Sequence, residues 1–176
     1  MNRYNKQFKN DNSNQFIYTD IKKDQDTIRV YNAHLGSIRF NHTDYKVIGG
    51  KGSPIWPHQK SPKRAIFSKI KIGFEKRTVQ VKELIHNIED SPYKSIICAD
   101  MNDTPTSYCY NAFDRNFIDA FTVSGKGLGG TYIGNIPGLR IDYIWHDKSL
   151  GSTNFMVHEQ KLSDHKAIST DIVIPN

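Results

Sequence analysis

Two short polar motifs in this 176-residue chain carry residue types that can do hydrolytic chemistry. Asp100 and Asn102 stand two positions apart directly after an apolar run, and Asp164 and His165 are adjacent just before the last apolar run. A carboxylate can hold a divalent cation or take a proton from water, an amide can orient water or a phosphoryl oxygen, and an imidazole can transfer a proton. Together these groups are suited to metal-assisted hydrolysis of a phosphate ester.

Each motif also has a purely structural interpretation. The Asp-x-Asn motif is typical of an Asx turn leading into Pro105, and Ser163-Asp164 can simply cap or turn the chain. A calcium-binding hand is excluded, because Pro105 stands where that loop requires glycine and Asn111 where it requires glutamate. The phosphoesterase interpretation therefore depends on whether other residues join the two motifs.

Two further residues are candidates for the same chemistry. Asp142 lies inside an apolar run at residues 141–145, where a carboxylate is costly unless it has a partner. That partner is either a histidine held in a catalytic orientation or a cation such as Arg140. His34 ends the run that begins at Val30, and a histidine at the end of a strand is by itself more often a structural group. The residues alone leave both alternatives open.

The apolar pattern predicts the elements that position these motifs. Residues 15–21 and 27–32 are rich in β-forming residues and predict an antiparallel hairpin. Apolar residues at helical spacing predict a long helix from Ser61-Pro62 to Ile88, and its lysines indicate a solvated face rather than a nucleic-acid surface. A buried strand at residues 94–99 follows and ends at Asp100.

The rest of the chain is predicted to be rich in strands. Short helices are predicted around residues 41–48, inside the long connection 36–62, and within residues 106–113. Four more strands are predicted at residues 131–133, 140–145, 154–157 and 167–173. One long helix between groups of strands favours a layered α+β sandwich over a doubly wound sheet. Residues 1–14 are polar and are expected to form a flexible leader before a single domain at 15–176.

Composition narrows the partners and the setting. The formal charge of +6 favours an anionic partner such as nucleic acid or a phosphorylated substrate. Two cysteines are too few for a disulfide framework, and the polar start and strand-length apolar runs predict neither a signal peptide nor a membrane span. The chain as written is thus expected to be cytoplasmic. The Gly-x-Gly-x-x-Gly run at 125–130 is not a dinucleotide motif, because no helix follows it.

Four segments, in this order, resemble the endonuclease/exonuclease/phosphatase superfamily, the deoxyribonuclease I-like group. They are Asn32-Ala33-His34-Leu35, Ala99-Asp100-Met101-Asn102-Asp103-Thr104-Pro105, Arg140-Ile141-Asp142-Tyr143-Ile144 and Leu162-Ser163-Asp164-His165. Arg77-Thr78-Val79-Gln80 also resembles the Arg-x-x-Gln helix of that family. The resemblance implies a four-layer α/β-β/α sandwich with mainly antiparallel mixed sheets, and a nuclease or phosphatase in which Mg²⁺ or Mn²⁺ assists the attack of water on a phosphate ester.

The resemblance also implies a role for each candidate residue. His34 would be the general acid near the leaving group, Asp100 would activate the water and contact the metal, and Asn102 would orient water or phosphate. Asp164 would be a second metal contact. The resemblance also implies that Asp142 would hold the imidazole of the Ser-Asp-His motif.

That imidazole, His165, would polarise the phosphoryl group or act as the base.

The chain departs from the family pattern in two ways. The family domain opens with an Asn and a metal-binding Glu that have no counterpart here, while Ala99 replaces its usual glycine and Met101 its usual aromatic residue. We therefore expect a C-terminal portion of such a domain, with weakly bound metal, weak or no activity alone, and exposed sheet edges that favour a homodimer. The alternative is a non-catalytic module that binds phosphate-containing ligands or nucleic acid.

Overall fold

The computed structural model describes residues 2–8, 14–50 and 62–175. Within these ranges the chain forms eight strands and four helices. In chain order they are β1 (Asn2–Gln7), β2 (Gln15–Lys23), β3 (Asp26–His34), α1 (His42–Ile48), α2 (Pro62–Glu89), β4 (Lys94–Asp100), α3 (Tyr108–Asp114), β5 (Phe117–Asp119), α4 (Ala120–Ser124), β6 (Asp142–Asp147), β7 (Gly151–Val157) and β8 (Ile168–Val173).

Six strands form one sheet in the order β1-β2-β3-β4-β6-β5. The pair β3–β4 is parallel and the other pairs are antiparallel. The parallel pair is possible because α2 crosses between its two strands, as a parallel connection requires. Strands β2 and β3 form the predicted hairpin, whose turn contains Asp24 at a φ of 55°. The predicted α+β class with mainly antiparallel strands is confirmed.

Helix α2 packs on one face of this sheet. Its residues Ile66, Val81, Leu84 and Ile88 are buried at the spacing of one helical stripe. Val81, Leu84 and Ile88 join the inward-facing residues of β2, β3, β4 and β6 and the helix α3 in one core, which includes the fully buried Trp145. The apolar stripe of α2 is therefore a packing surface, as predicted.

The substitution Leu84→Ala should lower the free energy of unfolding by about 2–5 kcal/mol. Leu84 has no exposed surface, so the truncated side chain leaves a cavity in the core between α2 and the sheet. Urea unfolding followed by circular dichroism measures the change. Val79→Ala on the outer side of the same helix, where the side chain is 58% exposed, should change stability by about 0.5 kcal/mol or less. Equal losses in the two variants would contradict this packing.

The opposite face of the sheet is covered by the hairpin of β7 and β8 and by α4. Ala120, Ile144 and Phe155 form the buried centre of this second core, and Ile96 and Cys98 of β4 pack against it from the sheet. The described residues thus form three successive layers: helices α2 and α3, the six-stranded sheet, and the β7–β8 pair. Strands β4 and β6 are covered on both faces of the sheet. Strand β4 ends at Asp100, and strand β6 begins at Asp142.

Most predicted elements are present with shifted ends. The helix predicted around 41–48 is α1, and a capping box fixes its start. The Asp44 N–H donates to the Asn41 side chain, and the Asn41 N–H donates to the Asp44 side chain. Ser107 caps the start of α3, because its side-chain hydroxyl accepts a hydrogen bond from the Tyr110 N–H. The long helix is described from Pro62, so the predicted start at Ser61 lies outside the described residues. No described helix is both long enough and apolar enough to cross a bilayer.

Two segments differ from the prediction. Residues 2–7 form β1 where a flexible leader is predicted; the strand pairs with β2, and the ring of Tyr4 stacks on Tyr18 at 4.9 Å between centroids. The strand predicted at 131–133 is wrong, because the backbone N–H groups of Thr131 and Tyr132 both donate to the Leu139 carbonyl in a tight loop. Only an isolated bridge between Tyr132 and His165 is present there. The short elements β5 and α4 are not predicted at all.

Candidate active site at the strand ends

Three candidate residues lie in one row across adjacent strands. In the parallel pair β3–β4, His34 is opposite Asp100, and in the antiparallel pair β4–β6, Asp100 is opposite Asp142. Residues that are opposite in a sheet point to the same face, so the three side chains share one face at one end of the sheet. His34 Nε2 lies 3.6 Å from Asp100 Oδ2, and the His34 side chain is 54% exposed.

His165 joins the row from outside the sheet. The segment that carries it pairs with the loop at Tyr132, and this contact places the imidazole against Asp142. His165 Nδ1 lies 2.9 Å from Asp142 Oδ2 and 3.1 Å from Oδ1. Because an ionised carboxylate only accepts hydrogen bonds, Nδ1 carries the proton, and Nε2 is the nitrogen that can exchange a proton with a ligand.

The alternative partner of Asp142 is engaged elsewhere. Arg140 Nη1 donates to Asp119 Oδ2 at 2.5 Å, and both side chains are almost fully buried. The Arg140 guanidinium also lies over the rings of Phe121 and Tyr143, at 4.5 Å and 4.8 Å from their centroids. Of the two alternatives left open by the sequence, Asp142 therefore takes the histidine.

The two half-buried carboxylates of the row repel each other. Burial raises the pKa of Asp100, and the negative charge of Asp142 raises it further, against the opposing hydrogen bond from the Asn102 amide. Asp100, Asp142 and His165 each offer one ligand atom, and these atoms lie within 4.8 Å of one another. Carboxylate oxygens beside an imidazole fit a divalent cation, whose charge would relieve the repulsion.

Asn102 and Asp164 occupy different surroundings. The Asn102 backbone N–H donates to Asp100 Oδ1 at 2.9 Å, its side-chain amide donates to the Leu35 carbonyl at 3.0 Å, and its φ is 48°. The Asx turn is thus present, and Asp100 Oδ2 still faces His34. Asp164 is exposed and lies outside the described group of potential metal ligands, so Asp142 rather than Asp164 accompanies Asp100 there.

The sequence does not predict two neighbours of the row, the side chain of Tyr132 and a cavity. The ring of Tyr132 contacts the His165 ring edge to face, with centroids 5.3 Å apart. Burial is the largest of the causes that raise the pKa of Tyr132. A cavity of about 200 Å³ lies against both carboxylates and is lined on its other sides by Asn32 and Ile168. Tyr132 stands two positions after the glycine run, but no local sequence pattern indicates its contact with His165 or the cavity.

The titration of His165 should reflect its bond to Asp142. Burial of the ring acts to lower the pKa of His165, but the hydrogen bond and charge of Asp142, with the charge of Asp100, outweigh it and raise the pKa above the ordinary 6.5. Protonated His165 therefore stabilises the fold fully below pH 6.5, and this contribution is lost as pH rises through the folded-state pKa. Proton NMR titration of the metal-free protein measures that pKa.

Asp142→Asn is the control for this titration, since it keeps the shape and removes the charge. It should lower the pKa of His165, and it should cost more stability at pH 6 than at pH 8, measured by urea unfolding. A His165 pKa at or below 6.5 in the unsubstituted protein would contradict the expected coupling.

Comparison with known proteins agrees with this geometry. Residues 22–165 match the model of the Endonuclease/Exonuclease/phosphatase family. An endonuclease/exonuclease/phosphatase family protein from Bacteroides thetaiotaomicron has a similar structure, with a TM-score of 0.62 and 15% identity over 93% of this chain and 56% of that one. No curated protein matches the chain by sequence.

Two other solved structures share the fold. The human Nocturnin catalytic domain with bound sulfate gives a TM-score of 0.59 at 14% identity, over 97% of this chain and 59% of that one. The mannosyl-6-phosphatase of Bacteroides thetaiotaomicron gives 0.55 at 14% identity, over 92% and 57%. The chain thus spans little more than half the length of these structures. With the family model matching residues 22–165 of its 176, the chain belongs to the endonuclease/exonuclease/phosphatase family.

Proposed function

We propose that this chain carries catalytic groups of a divalent-metal-dependent phosphoesterase, a nuclease or a phosphatase. The observation that supports this most is the row of His34, Asp100 and Asp142 across three adjacent strands, with His165 bonded to Asp142. Membership of the family supports the same reaction class, since the family is named for nucleases and phosphatases. The formal charge of +6 is in keeping with an anionic substrate.

The side chains would divide the reaction between them. Asp100, whose pKa is raised, would accept a proton from the attacking water or position it, with Asn102 fixed beside it by the Asx turn. Asp142 would hold His165 with its proton on Nδ1, so that Nε2 can polarise the phosphoryl group or serve as base. His34, exposed at the edge of the row, would donate a proton to the leaving oxygen.

A divalent cation fits this site through Asp100, Asp142 and the neighbouring imidazole. Mg²⁺ or Mn²⁺ bound there would supply positive charge for the phosphoryl oxygens. Asp164 stays a predicted metal contact on the loop before His165. Mg²⁺ held by one or two carboxylates keeps water at its other positions, and we also propose that residues outside this chain complete the site. The share of the similar structures that the chain spans, between 56% and 59%, supports this part of the proposal.

Hydrolysis of small chromogenic esters tests the proposal. Bis(p-nitrophenyl) phosphate reports diesterase activity and p-nitrophenyl phosphate reports monoesterase activity, each with Mg²⁺ or Mn²⁺. We expect slow turnover that stops with EDTA and returns with excess metal. The same turnover in EDTA would contradict the metal dependence, and turnover at an ordinary enzymatic rate by this chain alone would contradict the proposal that residues outside it complete the site.

The binding-module alternative predicts a different result. A module without chemistry would bind a phosphate-containing ligand equally well with and without divalent metal and would release no product. Equilibrium binding of the labelled oligonucleotide, measured in parallel with its cleavage, separates the two functions.

A further inference from the structure

We propose that Arg77 of helix α2, assisted by Gln80, is a positioning residue that fixes the two loops of the candidate active site relative to each other. The inference rests on the proposed function, because it concerns the geometry of the same site. Arg77 lies within the long helix, where an arginine is ordinarily on the solvated face, yet it has no exposed surface.

The Arg77 guanidinium bridges two loops. Its Nε donates to Asp103 Oδ2 at 3.0 Å, and its Nη1 donates to the Gly36 carbonyl at 3.0 Å. Gly36 lies two positions after His34, and Asp103 follows Asn102 directly. One rigid, planar group is therefore bonded to the segment after the first candidate residue and to the segment after the second.

Gln80 holds the same glycine from its other side. The Gly36 N–H donates to Gln80 Oε1 at 2.8 Å, so α2 engages both polar groups of this residue. The approach is close enough that a Cβ on Gly36 would lie 2.9 Å from Lys76 Cδ and 3.3 Å from Gln80 Oε1. The loop after His34 is thus seated directly on the helix, and a larger residue than glycine at this position would require the Lys76 side chain to move.

The two loops are also bonded to each other above the helix. The Leu35 N–H donates to the Asp100 carbonyl at 2.9 Å, and the Asn102 side chain donates to the Leu35 carbonyl at 3.0 Å. The Tyr143 hydroxyl lies 2.8 Å from the Asp103 carbonyl and 2.8 Å from the Arg140 carbonyl, and it can donate its one proton to either, so it contacts the second loop from the sheet side. On the helix side, Arg77 links the same two loops through its hydrogen bonds to Gly36 and Asp103.

Packing alone does not account for this arrangement. An apolar side chain at position 77 would bury surface without the desolvation cost of a guanidinium, and replacing buried ion pairs by apolar residues is often neutral or stabilising. What an apolar residue cannot do is bond both loops at once. Because small displacements of catalytic groups lower rates strongly, the bridge has a functional consequence that packing does not supply.

Arg77→Lys tests the proposal, with Leu84→Ala as the control. Lysine keeps the charge but is a point donor that cannot span both acceptors. Leu84 is equally buried in the same helix, and its apolar side chain forms no hydrogen bond, so its variant lowers stability without removing a hydrogen bond to either loop. The two variants are compared at urea or temperature settings that give equal free energies of unfolding.

Two readouts are measured on the full 176-residue chain. With bis(p-nitrophenyl) phosphate and Mn²⁺, Arg77→Lys should lower kcat about 10- to 100-fold with KM changed less than about twofold, whereas matched Leu84→Ala should lower kcat less than about threefold. By hydrogen exchange, the Leu35 amide should exchange at least about tenfold faster in Arg77→Lys than in Leu84→Ala, with the Ile97 amide of β4 equal in both.

The outcomes separate the inference from the function on which it rests. If the unsubstituted chain shows no turnover, the rates give no comparison, and the exchange of Leu35 alone decides whether Arg77 positions the loops. If Arg77→Lys does not fold, Gln80→Met gives the same comparison, because it removes the acceptor of the Gly36 N–H. Equal exchange of Leu35 in the bridge variant and in the matched Leu84→Ala protein overturns the inference.

Discussion

Asp100→Asn is expected to weaken Mn²⁺ binding and to lower metal-dependent hydrolysis, each by about a hundredfold or more. Asp100 lies in the middle of the row, between His34 and Asp142, and is one of the three described residues whose ligand atoms come together. Asparagine keeps the shape and can still accept the bond from the Asn102 amide. The loss therefore measures the charge and basicity of the carboxylate rather than the Asx turn.

Water-proton relaxation with Mn²⁺ measures the binding, and ester hydrolysis measures the rate. The matched control is Asp90→Asn, the same chemical change at the exposed end of α2, where the Asp90 side chain is 66% exposed beside His86. Asp90→Asn should leave both quantities unchanged within about twofold. A site that keeps its Mn²⁺ affinity in Asp100→Asn would remove Asp100 from the metal ligands.

His165→Ala is expected to lower the rate of hydrolysis by about 10² to 10⁴, the range over which a positioned acid–base group contributes. The ring interacts with Asp142 at 2.9 Å and with Tyr132 edge to face, so the substitution removes both the group and its orientation. His86→Ala, at a side chain that is 77% exposed on α2, is the control and should keep the rate.

A double-mutant cycle shows whether His165 and Asp142 act together. If Asp142 works by holding the imidazole, the double variant with Asp142→Asn and His165→Ala should lose little more activity than His165→Ala alone. Multiplicative losses would mean that Asp142 acts independently of His165, for example through the metal. Far-UV circular dichroism of all three variants confirms that the sheet is retained.

The sequence predicts that Asp100 lies at the end of a strand for a physical reason. Apolar runs predict buried strands reliably, and the polar residue at the end of such a run must emerge where the strand leaves the core. That is where β4 delivers Asp100 and where β6 begins at Asp142. Strand order and register come from tertiary packing, so the exact opposition of these residues was available only from the structure.

Other features depend on contacts that leave no local pattern. The polar strand β1 is stabilised by pairing with β2 and by the stacking of Tyr4 on Tyr18. The stretch at 131–133 has β-forming residues but is held as a loop by the Leu139 carbonyl. Arg77 lies four positions before Val81 and seven before Leu84, on the buried side of α2, but helical periodicity does not show which groups its guanidinium bonds.

The parallel pairing of β3 with β4 also sets the order in which the molecule can assemble. Leu35 and Asn102, which are bonded to each other, are 67 positions apart in the chain. Closing a loop of that length costs conformational entropy before any contact rewards it, and distant pairings of this kind slow folding. The hairpin of β2 and β3 needs only a short turn and can form early. The row of candidate catalytic residues is thus expected to be among the last parts to form during folding, so on refolding the bond between Leu35 and Asn102 should form after the hairpin structure.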